Sequence, residues 1–110
     1  MIHQLKIWPE YFEAVTSGQK NFEIRYNDRD FAEGDYLALN EYSEDDGYTG
    51  RSCLVYVDYI LEDSTFMRAG YVALGIKPAA ITRGLAEYYE KGIDPCIRVP
   101  IIERGADNER

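Results

Sequence analysis

The sequence predicts an α+β domain: a small β-barrel, or strongly curved sheet, of five or six mostly antiparallel strands with two main helices at its ends. Three observations point there. Short runs alternate apolar and polar residues with period two. Two stretches carry apolar residues at helical spacing, bounded by Pro and Gly. Gly and Asp clusters separate these runs at short intervals. At 110 residues the chain forms one domain, residues 1–104, followed by a frayed polar tail at 105–110. A domain this size buries roughly two-thirds of its unfolded surface, enough for one core. There are no internal repeats, low-complexity tracts or linkers.

The elements follow in order. In His3-Gln4-Leu5-Lys6-Ile7-Trp8 the alternation gives a strand with Leu5 and Ile7 inward. Pro9 suits the first position of a helix, where its missing N–H costs nothing. Glu10 and Glu13 favour the positive end of that helix, and Tyr11, Phe12 and Val15 form its apolar stripe. Gly18 is its stop. A second strand follows, with Phe22, Ile24 and Tyr26 on one face and Asn21, Glu23 and Arg25 on the other. Asn27-Asp28-Arg29-Asp30 reads as a loop. Gly34-Asp35 is a turn opening a strand over 36–42. Residues 43–50 hold Asp46-Gly47 and Gly50 and predict a hairpin loop. A strand over 51–61 places Cys53, Val55, Val57 and Tyr59 on one face. Residues 63–69 form a loop before a strand over 70–76. The spacing predicts a helix over 78–91, stopped by Gly92, and an edge strand over 97–102 because Pro100 excludes a central one.

Composition narrows the function. The net charge of −8 opposes a strong nonspecific grip on nucleic acid, which needs dense Lys and Arg. A small basic site is compatible with it, since the first thirty residues hold four basic and five acidic side chains. No 18-residue apolar run or export signal is present, so a cytoplasmic protein without membrane partners is expected. Cys53 and Cys96 match no metal spacing and read as reduced thiols. His3, the sole histidine, has no partner at ligand spacing and reads as structural. No cofactor or metal is expected; a glycine-rich phosphate loop and a poised catalytic histidine are both absent.

The densest chemistry lies in Gly18-Gln19-Lys20-Asn21-Phe22-Glu23-Ile24-Arg25. Lys20 reads either as a donor to phosphate or base, or as a solvated lysine after a helix stop. Glu23 and Arg25 read as a charged pair lining a cleft, or as an ion pair on a solvated face. Trp8 reads as a stacking platform or, more simply, as an apolar contact at the helix start. Arg29 either contacts phosphate or satisfies Asp28 and Asp30 within its loop, the second being the simpler.

Leu5 through Tyr42 resembles the ASCH domain of the PUA-like superfamily. The features shared are a helix, a Gly-x-Lys-x-x-Glu-x-Arg motif (Gly18, Lys20, Glu23, Arg25), a loop, and the Gly34-Asp35 turn. Leu5-Lys6-Ile7-Trp8-Pro9-Glu10-Tyr11-Phe12, Asn27-Asp28-Arg29-Asp30-Phe31 and Gly70-Tyr71-Val72-Ala73-Leu74 are similar to a small, often phage-associated, poorly characterised ASCH-like group. The resemblance covers about residues 3–76, and 78–104 is an extension. It implies a PUA-like barrel with a cleft lined by the motif, and RNA or a modified nucleotide as partner, with single strands favoured over duplex. One branch removes the acetyl group from N4-acetylcytidine with a Lys and a Thr in the motif. Lys20 matches the Lys, but Glu23 occupies the Thr position, which removes the expected nucleophile. No catalytic residue is assigned; an enzyme would have to use Lys20 and Glu23 to activate water. A third expectation is an acidic module binding a basic protein through residues 41–46.

Overall fold

A computed structural model describes residues 1–79, 99 and 101–103. Its elements are β1 (Ile2–Ile7), α1 (Pro9–Thr16), β2 (Phe22–Tyr26), β3 (Tyr36–Ser43), β4 (Gly47–Leu61), β5 (Tyr71–Pro78) and β6 (Ile102–Glu103). One six-stranded sheet runs β1-β3-β4-β5-β2, with β6 paired to β4 off this path. Only β1 and β3 are parallel among these pairings. The sheet curls into a half-barrel, so the α+β architecture of five or six mostly antiparallel strands holds. The helix expected over 78–91 lies outside the described residues, except that Pro78 ends β5 opposite Val55. Cys96 and the tail at 105–110 also lie outside them.

Alternation in β1 buries His3, Leu5 and Ile7. Leu37 and Leu39 of β3, Val55 and Val57 of β4, and Val72 and Leu74 of β5 complete the concave face. Helix α1 lays Phe12 and Val15 onto it. Tyr11, expected in the same stripe, is instead exposed, because 100° of helix rotation carries it off the buried side. The φ of +87° at Gly18 turns the chain out of the helix, and the Lys20 amide then donates to the Ala14 carbonyl.

Two strands differ from the sequence expectation for identifiable reasons. The β3–β4 hairpin is tighter than expected: Ser43 pairs with Gly47 and Tyr42 with Tyr48. Ser43 Oγ accepts the Asp46 amide and steadies the turn. In β4 a register shift between Val57 and Tyr59 turns Tyr59 outward, away from the face it was expected to share.

Every buried side-chain nitrogen and oxygen among the described residues has a hydrogen-bond partner. His3 does have a partner, remote in sequence. Its Nε2 lies 2.8 Å from Asp35 Oδ2, and a carboxylate only accepts, so the proton sits on His3. Asp35 also accepts the Ala32 amide at 3.0 Å. The Gly34-Asp35 turn thus ties the start of β1 to the start of β3, with Gly34 at φ +97°. Burial pushes the Asp35 carboxyl up, but the bonds from His3 and Ala32 outweigh it and hold it below its ordinary value of 3.8. Hydrogen bonds from Arg51 chiefly, against the cost of burial, hold Glu41 below its ordinary value of 4.5. Both folded values lie below the unfolded ones, so the unfolded chain binds more protons. Their stabilisation is complete above about pH 5 and is lost as pH falls through the folded values. Urea midpoints are therefore expected to fall steadily below about pH 4.5, and Asp35→Asn to flatten part of that slope.

Candidate nucleotide-binding cleft

The two outer strands of the sheet path, β1 and β2, return to within side-chain reach of each other without forming a ladder. Arginines bridge the seam. Arg25 Nη2 donates to the Lys6 carbonyl at 2.8 Å and Arg29 Nη1 to the Gln4 carbonyl at 3.0 Å. Arg29 was expected to satisfy Asp28 and Asp30. Its nearest carboxylate, Asp28, is 3.9 Å away, and its directed bond goes to the β1 edge, where strand carbonyls need donors.

Beside this seam opens a cleft of about 900 Å³. Lys6 and Ile7 of β1, Trp8 and Tyr11 at the start of α1, Lys20, and Phe22 to Arg25 of β2 border it, with Tyr42 and Glu44 from the hairpin. Lys20, Glu23, Arg25 and Trp8 therefore meet in one place, while Arg29 stands outside.

The charged end is built on Glu23, which is 3% exposed. On β2 the apolar side chains Phe22, Ile24 and Tyr26 face outward and Glu23 faces in. This inverts the usual assignment of faces. Glu23 is tolerated inside because both oxygens are matched: Oε2 accepts Lys20 Nζ at 2.5 Å and Oε1 accepts Arg25 Nε at 3.0 Å. Lys20 Nζ also donates to the Phe22 carbonyl at 2.7 Å. Lys20 keeps one ammonium hydrogen, and Arg25 three guanidinium hydrogens, beyond these bonds. Burial, and then the charge of Glu23, push the Cys53 thiol on the neighbouring core face up to about 12. Cys53 is an inert core thiol.

The aromatic end is built on Trp8, the N-cap of α1, whose extended backbone precedes Pro9. Trp8 is 46% exposed, and its ring centroid lies 6.2 Å from that of Tyr42. Tyr42 meets Tyr48 edge-on at 5.1 Å, and Lys6 Nζ sits 4.2 Å from the Tyr42 centroid. Lys6 and Tyr11 are cleft residues that sequence reasoning did not single out as ligand-binding, and Glu44 was noted there only within the acidic segment 41–46. Tyr42 is a further aromatic of the cleft, a residue type that sheets use freely. The signal for Lys6 was available only in hindsight: it alternates outward on an edge strand opposite the motif.

The acidic segment divides. Glu41 is buried against Arg51, so it contributes no acidic surface, whereas Glu44, Asp45 and Asp46 stand exposed at the hairpin tip. No helix among the described residues is long and apolar enough to cross a membrane. No group of three or more His, Cys, Asp or Glu side chains among them converges as metal ligands would.

Residues 2–76 match a family model described as a domain of unknown function, DUF3850. A stretch of 50 residues is 40% identical to an uncharacterized 12.9 kDa protein in the GpA 3′ region of Escherichia phage P2. It covers 46% of this chain and 45% of the phage protein, so the likeness spans less than half of that relative. Among solved structures, the ASCH protein of Zymomonas mobilis superposes with a TM-score of 0.51, and a serine-to-alanine variant of it with 0.52. Both superpositions cover 96% of this chain and 89% of the other, at 13% identity. That degree of likeness establishes the ASCH fold.

Proposed function

The chain belongs to the DUF3850 family, and we propose that it binds single-stranded RNA or a modified nucleotide in the cleft between β1 and β2. One observation carries this reading. In a chain of net charge −8, the cleft sets three cations against two carboxylates beside a half-exposed tryptophan. Base stacking needs an exposed aromatic face, and phosphate needs donors held in place. Trp8 and Tyr42 supply the face. Lys20 and Arg25, tethered by Glu23, supply the donors, and Lys6 adds a cation between the two ends. The acidic remainder of the surface repels bulk duplex and leaves recognition to this cleft. The volume falls within the range of small-molecule sites and holds a nucleotide with its neighbouring phosphate.

A backbone amide NMR titration with short single-stranded RNAs, cytidine and N4-acetylcytidine tests it. Shifts are expected at Lys6, the Trp8 indole, Lys20, Arg25 and Tyr42. Trp8→Ala should weaken RNA binding about tenfold, since stacking is worth about 1–3 kcal/mol per base. Affinity should fall with salt, by a log–log slope of about −1.4 to −2.1 for two or three phosphate contacts on a single strand. An absence of shifts at millimolar ligand would overturn the proposal. New product peaks from N4-acetylcytidine would instead make Lys20 and Glu23 the working pair of a hydrolase.

A further inference from the structure

The convex side of β2, β5 and β4 carries a second surface of different character. Strand register aligns Phe22, Gly75 and Tyr59 in one row and Ile24, Ala73 and Leu61 in the next, with Tyr26 beside Tyr71 in a third. Directly paired residues project to the same face, so these rows form one continuous patch. Phe22, Ile24, Tyr26, Tyr59 and Leu61 are each between 43% and 59% exposed. Tyr26 and Tyr71 pack edge to face at 5.4 Å, which stiffens one end.

We propose that this face docks a second copy of the chain as a two-fold dimer. Size is the first argument. Five large apolar side chains about half exposed present on the order of 500 Å². That is at the upper end of what a monomer leaves open, and more than half of the ~800 Å² per partner in a stable interface. Shape is the second. The side chains of β2 and of β4 form two ridges, roughly 10 Å apart, flanking a furrow along Ala73 and Gly75 of β5. A two-fold axis places the β2 ridge of each copy in the furrow of the other. At Gly75 the furrow is filled by the Asp58 carboxylate, which a Cβ there would approach to 2.8 Å, so its open part runs along Ala73. Charge is the third. None of the residues in the three rows is charged; Asp58, over Gly75, is tied to Lys77 at 3.2 Å, and Lys20, 5.0 Å from the Phe22 ring, is tied to Glu23. A face whose own side chains are uncharged, and whose bordering charges are already paired, suits its own copy better than RNA or a basic protein. Phe22 and Ile24 also border the cleft, so each copy would stand beside the other's binding site.

Sedimentation velocity on the full chain tests this, from about 5 to 500 µM protein at low and high salt. The expected result is a reversible dimer that tightens with salt, because two chains of net charge −8 repel less when screened. Nucleotide binding weakens with salt, so the two phenomena separate. Tyr59→Glu and Leu61→Glu should each weaken the dimer at least tenfold, with unfolding curves checking that each variant folds. Tyr59→Ser serves if a glutamate variant does not fold. A monomer at every concentration, or a dimer indifferent to all three substitutions, overturns the proposal. Short RNA shifting Tyr59 and Leu61 amides of the monomer would also overturn it, reassigning the face to nucleic acid.

Discussion

Replacing Glu23 by alanine is expected to destabilise the protein by about 2–4 kcal/mol and to abolish ligand binding in the cleft. Breaking a buried pair by removing one partner costs about 3–5 kcal/mol, because the charge left behind has no compensation. The lower range applies here because Lys20 and Arg25 retain partial contact with water. The variant leaves two cations side by side without the carboxylate that holds them, so the donors of the cleft splay apart. Arg25 loses the bond that aims it at the Lys6 carbonyl, and the seam loosens with it. Urea unfolding at unchanged m-value measures the stability loss. Glu23→Gln, which keeps one acceptor, should lose less. The Cys53 thiol gives an independent readout: without the nearby negative charge it should titrate below its value of about 12. A stability loss under about 0.5 kcal/mol would show that Glu23 does not organise the cations.

Arg51→Ala is expected to cost about 3–5 kcal/mol, because it strands a buried carboxylate. Arg51 binds both oxygens of buried Glu41, at 2.9 and 3.0 Å, and reaches Glu13 of α1 at 2.6 Å. Its guanidinium also lies 4.9 Å from the centre of the Phe12 ring. It therefore fastens the helix carrying Trp8 and Tyr11 to the hairpin carrying Tyr42. Alanine would leave Glu41 buried with Thr49 as its remaining partner, at 2.6 Å. The penalty should shrink as pH falls below about 4.5 and disappear only below the lowered folded value, where Glu41 is neutral in both states. Arg51→Met should recover the cover over Phe12 but not the charge pairing. The double variant Arg51→Met, Glu41→Gln should be closer to wild type than either single change. Unfolding curves at pH 7 and pH 4 decide it, and a penalty independent of pH would show that packing alone is involved.

Much of the fold was legible because its signals are local. Alternation in 3–8, Pro9 after Trp8, the stop at Gly18 and the turn at Gly34-Asp35 act over a few residues and fall within a residue of where the structure has them. The bulges in β3 and β4 were not legible, since a register shift is set by both strands of a pair. The candidate site was half legible. Lys20, Glu23 and Arg25 were singled out by spacing, but their partners were not. The bonds from Arg25 to Lys6 and from Arg29 to Gln4 span 19 and 25 residues, and no periodicity encodes them.

By itself the sequence determined the α+β class, the order and limits of most strands, the helix over the first core strand, and a charged motif at a helix–strand junction. Short-range sterics and alternation suffice for these. The tertiary structure alone decided which face of β2 turns inward. Period two says that Phe22 and Glu23 lie on opposite sides, but not which side is buried. Closure of the sheet brings Lys20 and Arg25 around one carboxylate, and only that compensation lets Glu23 enter while three apolar residues stay outside. The same inversion set Glu23 at the charged end of the cleft and left Phe22, Ile24 and Tyr26 outside, the first two along the cleft's border.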